Sequence, residues 1–135
     1  LPGEQHGELL WQDRLVWAGR AGTTDVGDPV PIVTYPPPSL TRHVALRALE
    51  REQRTWRIAC VSDSQLGLQA AVLAGLGIVP HAETLLPQGL HRVDDDRLPQ
   101  LGELEFVLVC RRSTLSEPEQ ALHDAIVAGA RRMHQ

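Results

Sequence analysis

The sequence predicts an α/β fold with parallel strand pairs, and three observations carry that prediction. Short apolar runs of strand length alternate with segments of helical periodicity, the order that parallel sheets require. Gly, Pro, Ser and Asp punctuate the junctions between them. Hydrophobic residues make up 42% of the 135 and charged residues 22%, ordinary globular proportions that exclude a disordered, collagenous or coiled-coil chain.

The elements follow in order. Leu15-Val16-Trp17-Ala18-Gly19 reads as a first strand, and the Gly/Thr/Asp-rich stretch 22–28 as a loop. Residues 29–35 form a second strand whose prolines place it at a strand beginning or a sheet edge. Pro36-Pro37-Pro38 ends it with a stiff, polyproline-like exit that donates no backbone hydrogen bond. Val44, Ala45, Ala48 and Leu49 recur at helical spacing within 40–53. A third strand covers 56–61. Ser62-Asp63-Ser64 then signals a helix start, because short oxygen-bearing side chains satisfy orphan N–H groups. That helix runs over 65–74 and stops at Gly75, with a short fourth strand at 77–80. Residues 81–102 read as irregular, apart from a helical turn near 83–85 and a strand at 90–93. The strongest strand is 104–110. Ser116-Glu117-Pro118-Glu119 is a capping box opening a last helix, over 117–133, with Leu122, Ala125, Ile126 and Met133 on its apolar face.

Composition and motif searches exclude several function classes. No apolar run approaches the roughly 18 residues of a membrane span. A net charge of -4 lacks the basic footprint of a nucleic-acid binder. All 13 basic residues are Arg, and there is no Asn, so a Schiff-base lysine, a P-loop lysine and N-glycosylation are excluded. GxSxG, HExxH, GxGxxG and CxxC are all missing. His43, His81, His91 and His123 are scattered and read as surface or cap residues. Asp94-Asp95-Asp96 reads as a solvated turn rather than a metal site. Cys60 and Cys110 read as reduced, partly buried thiols. The opening Leu1 to His6 is neither cationic nor apolar, which is no signal peptide and reads as a start inside a longer polypeptide.

Two segments share a geometry. Pro36 to Arg42 and Ser62 to Ser64 each lie between a strand's carboxyl end and a helix's start. In open α/β sheets such ends line one edge, where ligands bind. Each helix N-terminus offers unpaired N–H groups and about half a positive charge, which together suit an anion. Ser39, Thr41, Ser62 and Ser64 add hydroxyls, and Arg42 adds a fork suited to a carboxylate. A plainer reading stands beside this one: the hydroxyls cap their helices and Arg42 pairs with a surface acid.

The run Pro36-Pro37-Pro38-Ser39-Leu40-Thr41-Arg42, then Ala48-Leu49-Glu50, then Trp56-Arg57-Ile58-Ala59, then Gly67-Leu68-Gln69-Ala70-Ala71-Val72-Leu73-Ala74-Gly75-Leu76-Gly77-Ile78 with Pro80, resembles the effector-binding domain of LysR-type transcriptional regulators. Leu15-Val16-Trp17, Leu98-Pro99 and Glu105-Phe106-Val107-Leu108 fall in the family's order, so the likeness covers nearly the whole chain. It implies a periplasmic-binding-protein-like (type 2) fold of two α/β subdomains joined by crossing strands, with a small ligand in the cleft between. On that pattern 1–14 is a remnant of the first subdomain, 15–103 is regulatory subdomain II, and 104–135 is a crossing strand and C-terminal helix of subdomain I. The family's effector contacts fall on Pro38, Ser39, Leu40 and Arg42 in the first loop, and on Ser62 and Ser64 in the second.

The implied function is ligand sensing: a small, anionic effector would control DNA binding by a full-length, cytoplasmic, bacterial regulator. DNA would be contacted only through a winged helix-turn-helix that this chain lacks. The family's oligomers imply a homodimer or tetramer, with no membrane, cofactor, metal or enzymatic activity. The missing first part of subdomain I would carry further effector contacts, so the chain is expected to hold half a cleft. The family's redox-sensing branch uses a different cysteine spacing, and its activity does not carry over. The alternative is a periplasmic solute-binding protein of a transport system, which shares the fold.

Overall fold

The computed structural model describes residues 5–111, and the side chains of 12–105. The elements are β1 (Gln5–Arg20), β2 (Val30–Thr34), α1 (Leu40–Arg51), β3 (Trp56–Val61), α2 (Gln65–Leu73), β4 (Val79–Ala82), a 3-10 turn (Glu83–Leu85), β5 (Leu90–Arg92) and β6 (Glu103–Arg111). The chain divides into two compact units: Arg14–Gly102, and the flanking segments up to Asp13 and from Glu103. The expected last helix at 117–133, and its capping box, lie outside the described residues. In the flanking unit β6 pairs with β1, and Gln12 Nε2 donates to Glu105 Oε1 at 3.2 Å.

In the larger unit β2 and β3 pair in parallel, from Val30 opposite Trp56 to Thr34 opposite Val61, with an irregularity between Ile32 and Val33. Ile78 forms a parallel bridge to Ile32 on the other side of β2. There the Val33 N–H donates to Ile78 O at 2.8 Å and the Ile78 N–H to Pro31 O at 3.0 Å. β4 and β5 both pair antiparallel with β1. Through the Ile78 bridge the order is β3-β2-β4-β1-β5.

The expected parallel strand pairs are present. The sheet is mixed: each parallel step is spanned by a helix, α1 or α2, as parallel strands require, but β1 runs antiparallel to β4 and β5. Its strand also begins well before Leu15. Of the two places its prolines allowed, β2 shows the first: Pro31 lies at the strand's beginning, and β2 is not at the edge. Pro31 is tolerated there because it sits on the first rung beside Ile78, where its carbonyl accepts and no donor is required.

Both sheet faces are covered. Val33 is fully buried in a cluster with Ala18, Val79 and Leu90 under Leu68, Ala71 and Val72 of α2. Its neighbours Ile32 and Thr34 point the opposite way, by the period of two, and are equally buried. α1 packs against β4 and buries Ala45, Ala48 and Leu49. Burial of a side chain the size of Leu49 stabilises by roughly 1.5–3 kcal/mol, so this stripe holds α1 in place. Beyond β5 the chain runs back along β1. The Val93 N–H donates to Trp17 O at 2.8 Å and the Leu15 N–H to Gly102 O at 2.8 Å, while buried Trp17 Nε1 donates to Pro99 O at 3.0 Å.

One close approach fixes the path from α2 into β4. A Cβ on Gly77 would lie 2.6 Å from Pro31 O, so only glycine lets this segment reach β2 and form the Ile78 bridge.

Candidate functional site

The two loops singled out by the sequence leave the carboxyl ends of adjacent strands. They are tied at their roots, because the Ser62 N–H donates to Thr34 O at 3.1 Å. The edge of the sheet thus presents Pro36 to Arg42 beside Ser62 to Ser64, with the N-termini of α1 and α2 directly behind them.

Both helices start as the pattern of short hydroxyl side chains predicts. Ser39 has extended backbone (φ -145, ψ 122), and its Oγ accepts the Arg42 N–H at 3.3 Å. Ser64 does the same for α2 (φ -120, ψ 146), accepting the Gly67 N–H at 3.0 Å. Ser62 Oγ accepts the Ser64 N–H at 3.2 Å and donates toward Ser64 O at 3.2 Å. The hydroxyls of Ser39, Ser62 and Ser64 are therefore engaged in local structure, as the plainer reading expected. Thr41 Oγ1 lies 3.3 Å from Ser39 Oγ. What each helix start still offers is its dipole and the N–H groups ahead of the capped one, with no acid in the first turn of either helix.

A feature not read from the sequence shapes the second loop. A Cβ on Gly67 would lie 2.1 Å from Ser62 Oγ, so the glycine opens the space into which Ser62 folds. The signal was the spacing Ser-x-Ser-x-x-Gly.

The remaining predicted residues separate in role. Among the described residues Arg42 pairs with no surface acid: its Nη1 donates to Tyr35 O at 3.4 Å, so the half-buried side chain turns back along its own loop. That corrects the expected partner and keeps the cation beside the α1 start. Leu40, the first helical residue, is 63% exposed, and Pro38 is exposed next to it. The Pro37–Pro38 peptide bond is cis, in place of the extended polyproline exit.

Asp94-Asp95-Asp96 is more than a solvated turn. Asp95 Oδ1 accepts the Arg97 main-chain N–H at 3.0 Å, and its Oδ2 lies 3.1 Å from Arg97 Nη2, which also reaches Asp25 Oδ1 at 2.5 Å. Hydrogen bonds from Arg97 hold the Asp95 carboxyl down at about 2, and hold Asp25 below the usual carboxylate range. Arg54 extends the clasp, donating to Arg97 O and Gly27 O. No group of three metal-ligating side chains occurs among the described residues. Cys60 is a half-buried free thiol against the α2 cluster. The Cys110 side chain lies outside the described residues. His43 and His91 are exposed, as read, while His81 is half-buried with Nδ1 3.0 Å from Ala82 O.

Comparison with known proteins places this geometry. Residues 2–131 match the family model described as LysR substrate binding domain. The chain belongs to that family. Among curated relatives, the HTH-type transcriptional regulator DgdR of Burkholderia cepacia is 32% identical over 123 residues, 90% of this chain and 42% of DgdR. PecT of Dickeya dadantii (strain 3937), also an HTH-type transcriptional regulator, is 31% identical over 106 residues, 78% of this chain and 34% of PecT. The chain thus spans well under half the length of the regulators it matches.

Solved structures agree on the fold, which is the periplasmic-binding-protein-like one of LysR regulatory domains. The regulatory domain of a HypT mutant from Salmonella typhimurium aligns with a TM-score of 0.67 at 18% identity, covering 94% of this chain and 66% of that one. The Synechocystis PCC6803 CcmR regulatory domain, solved in complex with 2-PG, aligns with a TM-score of 0.65 at 19% identity, covering 96% and 69%. Both candidate loops of this LysR substrate binding domain lie inside the family match. No helix among its described residues is long and apolar enough to cross a membrane.

Proposed function

We infer that this chain is the ligand-sensing part of a LysR-type transcriptional regulator, and that a small anionic effector binds at the edge formed by Pro38, Ser39, Leu40 and Arg42 with Ser62 and Ser64. One observation carries the site: two helix N-termini, neither offset by an acid in its first turn, follow the carboxyl ends of paired strands, tied where Ser62 is bonded to Thr34. Their dipoles and leading N–H groups take the anion's oxygens, Arg42 adds charge, and exposed Leu40 gives an apolar contact. The serine hydroxyls hold the helix starts in register rather than supplying the main contacts. Arg14–Gly102 corresponds to the second regulatory subdomain, and the flanking segments to parts of the first.

Binding shifts the regulator between two conformations by no more than the effector's differential affinity for them, and so changes how the full-length protein occupies DNA. The DNA contacts belong to a winged helix-turn-helix elsewhere in the regulator, which works in the cytoplasm as a dimer or tetramer. Two relatives named as HTH-type transcriptional regulators favour this reading over solute transport. An anionic effector is in line with HypT's regulatory domain, which was also solved bromide-bound. The serines lend catalysis no support: among the described residues the Ser62 hydroxyl bonds only to Ser64, with no base beside it.

The test is a promoter assay in the intact regulator. Ser39→Ala with Arg42→Ala should abolish the response to effector while DNA binding persists in a gel-shift assay. Full induction by the double variant would remove the site from this edge.

A further inference from the structure

A recess of about 390 Å³ lies at the opposite end of the larger unit, where β1 finishes, β2 begins and α2 ends. It is of the size small-molecule sites occupy, and it shares no residue with either helix-start loop. Its lining is mixed, with partly exposed Pro31 and Val26 as its apolar surface over the buried Val72 and Ile78. One wall is the turn from Ala21 to Val26, whose Thr23 and Thr24 carry hydroxyls.

The group that gives the recess a chemistry is Arg20. A Cβ on Gly75 would lie 2.8 Å from Arg20 Cζ, 2.8 Å from Nη1 and 2.9 Å from Nη2. Three near-equal distances mean that the guanidinium lies flat over the bare glycine, its plane backed by the end of α2. Gly75 has φ +83, so the chain turns there without a side chain that would push Arg20 away. Among the described residues the Arg20 side chain has no acid or carbonyl partner: its own main-chain oxygen accepts from the Thr23 N–H and Oγ1, and the guanidinium donors are left over. Asp25, the acid on the same wall, is committed to Arg97 and to the Gly27 N–H. A planar cation at the C-terminal end of a helix also offsets the dipole there. That accounts for its position but uses none of its edge donors.

We propose that this recess is a second binding site, for a small carboxylate with a short apolar tail: the carboxylate pairs with the edge of the Arg20 guanidinium, and the tail lies on Pro31 and Val26. A fork held flat on a rigid backing loses little freedom when a carboxylate joins it. The 21–26 turn that walls the site is held by the Asp25–Arg97–Asp95 clasp, which joins it to the 94–98 segment.

The probe is sodium butyrate, titrated into the isotope-labelled 135-residue chain and followed by amide NMR, with butanol as the uncharged control. Saturating shifts at residues 21–26, 75 and 77, with a Kd on the order of 1–10 mM and no matching response to butanol, are the expected result. Arg20→Gln should weaken butyrate about tenfold or more, Arg20→Lys less, each with the remaining spectrum unchanged. Ser39→Ala with Arg42→Ala should leave these shifts as they are, which separates this site from the strand-end edge. Shifts that fail to saturate, that butanol reproduces, or that survive Arg20→Gln would overturn the proposal.

Discussion

The two ends of the larger unit are closed in different ways, and two glycines show the difference. At the strand-end edge a Cβ on Gly67 would meet Ser62 Oγ, the tip of a side chain that can rotate. At the other end a Cβ on Gly77 would meet Pro31 O, a backbone atom on a sheet rung. The first end is built from hydroxyls bonded to backbone over two or three residues, so it can re-form around a ligand. The second is built from backbone contact and from ion pairs that span the sequence. An edge that can re-set suits a sensor, and a rigid end suits the frame that holds it.

Substitution of the glycines should break this comparison most directly. Gly77→Ala forces β2 and the β4 entry apart, and should cost about 2–3 kcal/mol by denaturant unfolding. Gly67→Ala should cost about 1 kcal/mol, since Ser62 has to turn away and lose its bond to Ser64, and Ser64 Oγ, 3.0 Å from the new Cβ, has to give slightly. In a Ser62→Ala background the same Gly67→Ala change should cost less, because the 2.1 Å contact with Ser62 Oγ is gone while the Cβ of residue 62 and Ser64 Oγ stay at 3.0 Å. A cycle with no coupling between positions 62 and 67 would contradict the packing described.

Acid sharpens the account of the rigid end. The Asp95 carboxyl sits at about 2 in the folded chain against an ordinary 3.8. A depressed folded value means its stabilisation is complete above the ordinary carboxylate range and is lost as pH falls through about 2. Asp95→Asn should therefore unfold more easily than the parent from neutral pH down to about pH 4, with the gap closing as pH falls to about 2. A gap that stays constant into acid would mean Asp95 acts by shape rather than charge.

The smallest effect has the opposite sign. Thr34 Oγ1 is buried with no hydrogen-bond partner among the described residues, so Thr34→Val should leave stability unchanged or raise it by about 1 kcal/mol in the same unfolding assay. A marked loss would show that the hydroxyl is engaged.

What the sequence made legible follows the same division. The Ser39 and Ser64 caps, the Gly75 stop and the strand at 56–61 could be read because each depends on residues within one helical turn or one strand. The clasp between Asp25 and Arg97 joins residues 72 apart, and the Trp17–Pro99 bond residues 82 apart. No local pattern encodes such pairs, so Asp95 read as a loose turn. β1's antiparallel pairing was hidden for the same reason, since periodicity reports which residues are buried and not which strand covers them. The strand-end edge was legible as a place, because fold class alone puts both helix starts there. The roles within it were not, since the choice between a hydroxyl that caps and one that faces a ligand depends on rotamers.

The central claim is that the effector is held at the strand-end edge. Amide hydrogen exchange of the intact regulator, with and without a compound that induces its promoter, tests it most directly. The account predicts slowed exchange at 39–43 and 62–68, where the leading N–H groups of α1 and α2 meet the anion. Slowing confined to other segments, with these two loops unchanged, would contradict it.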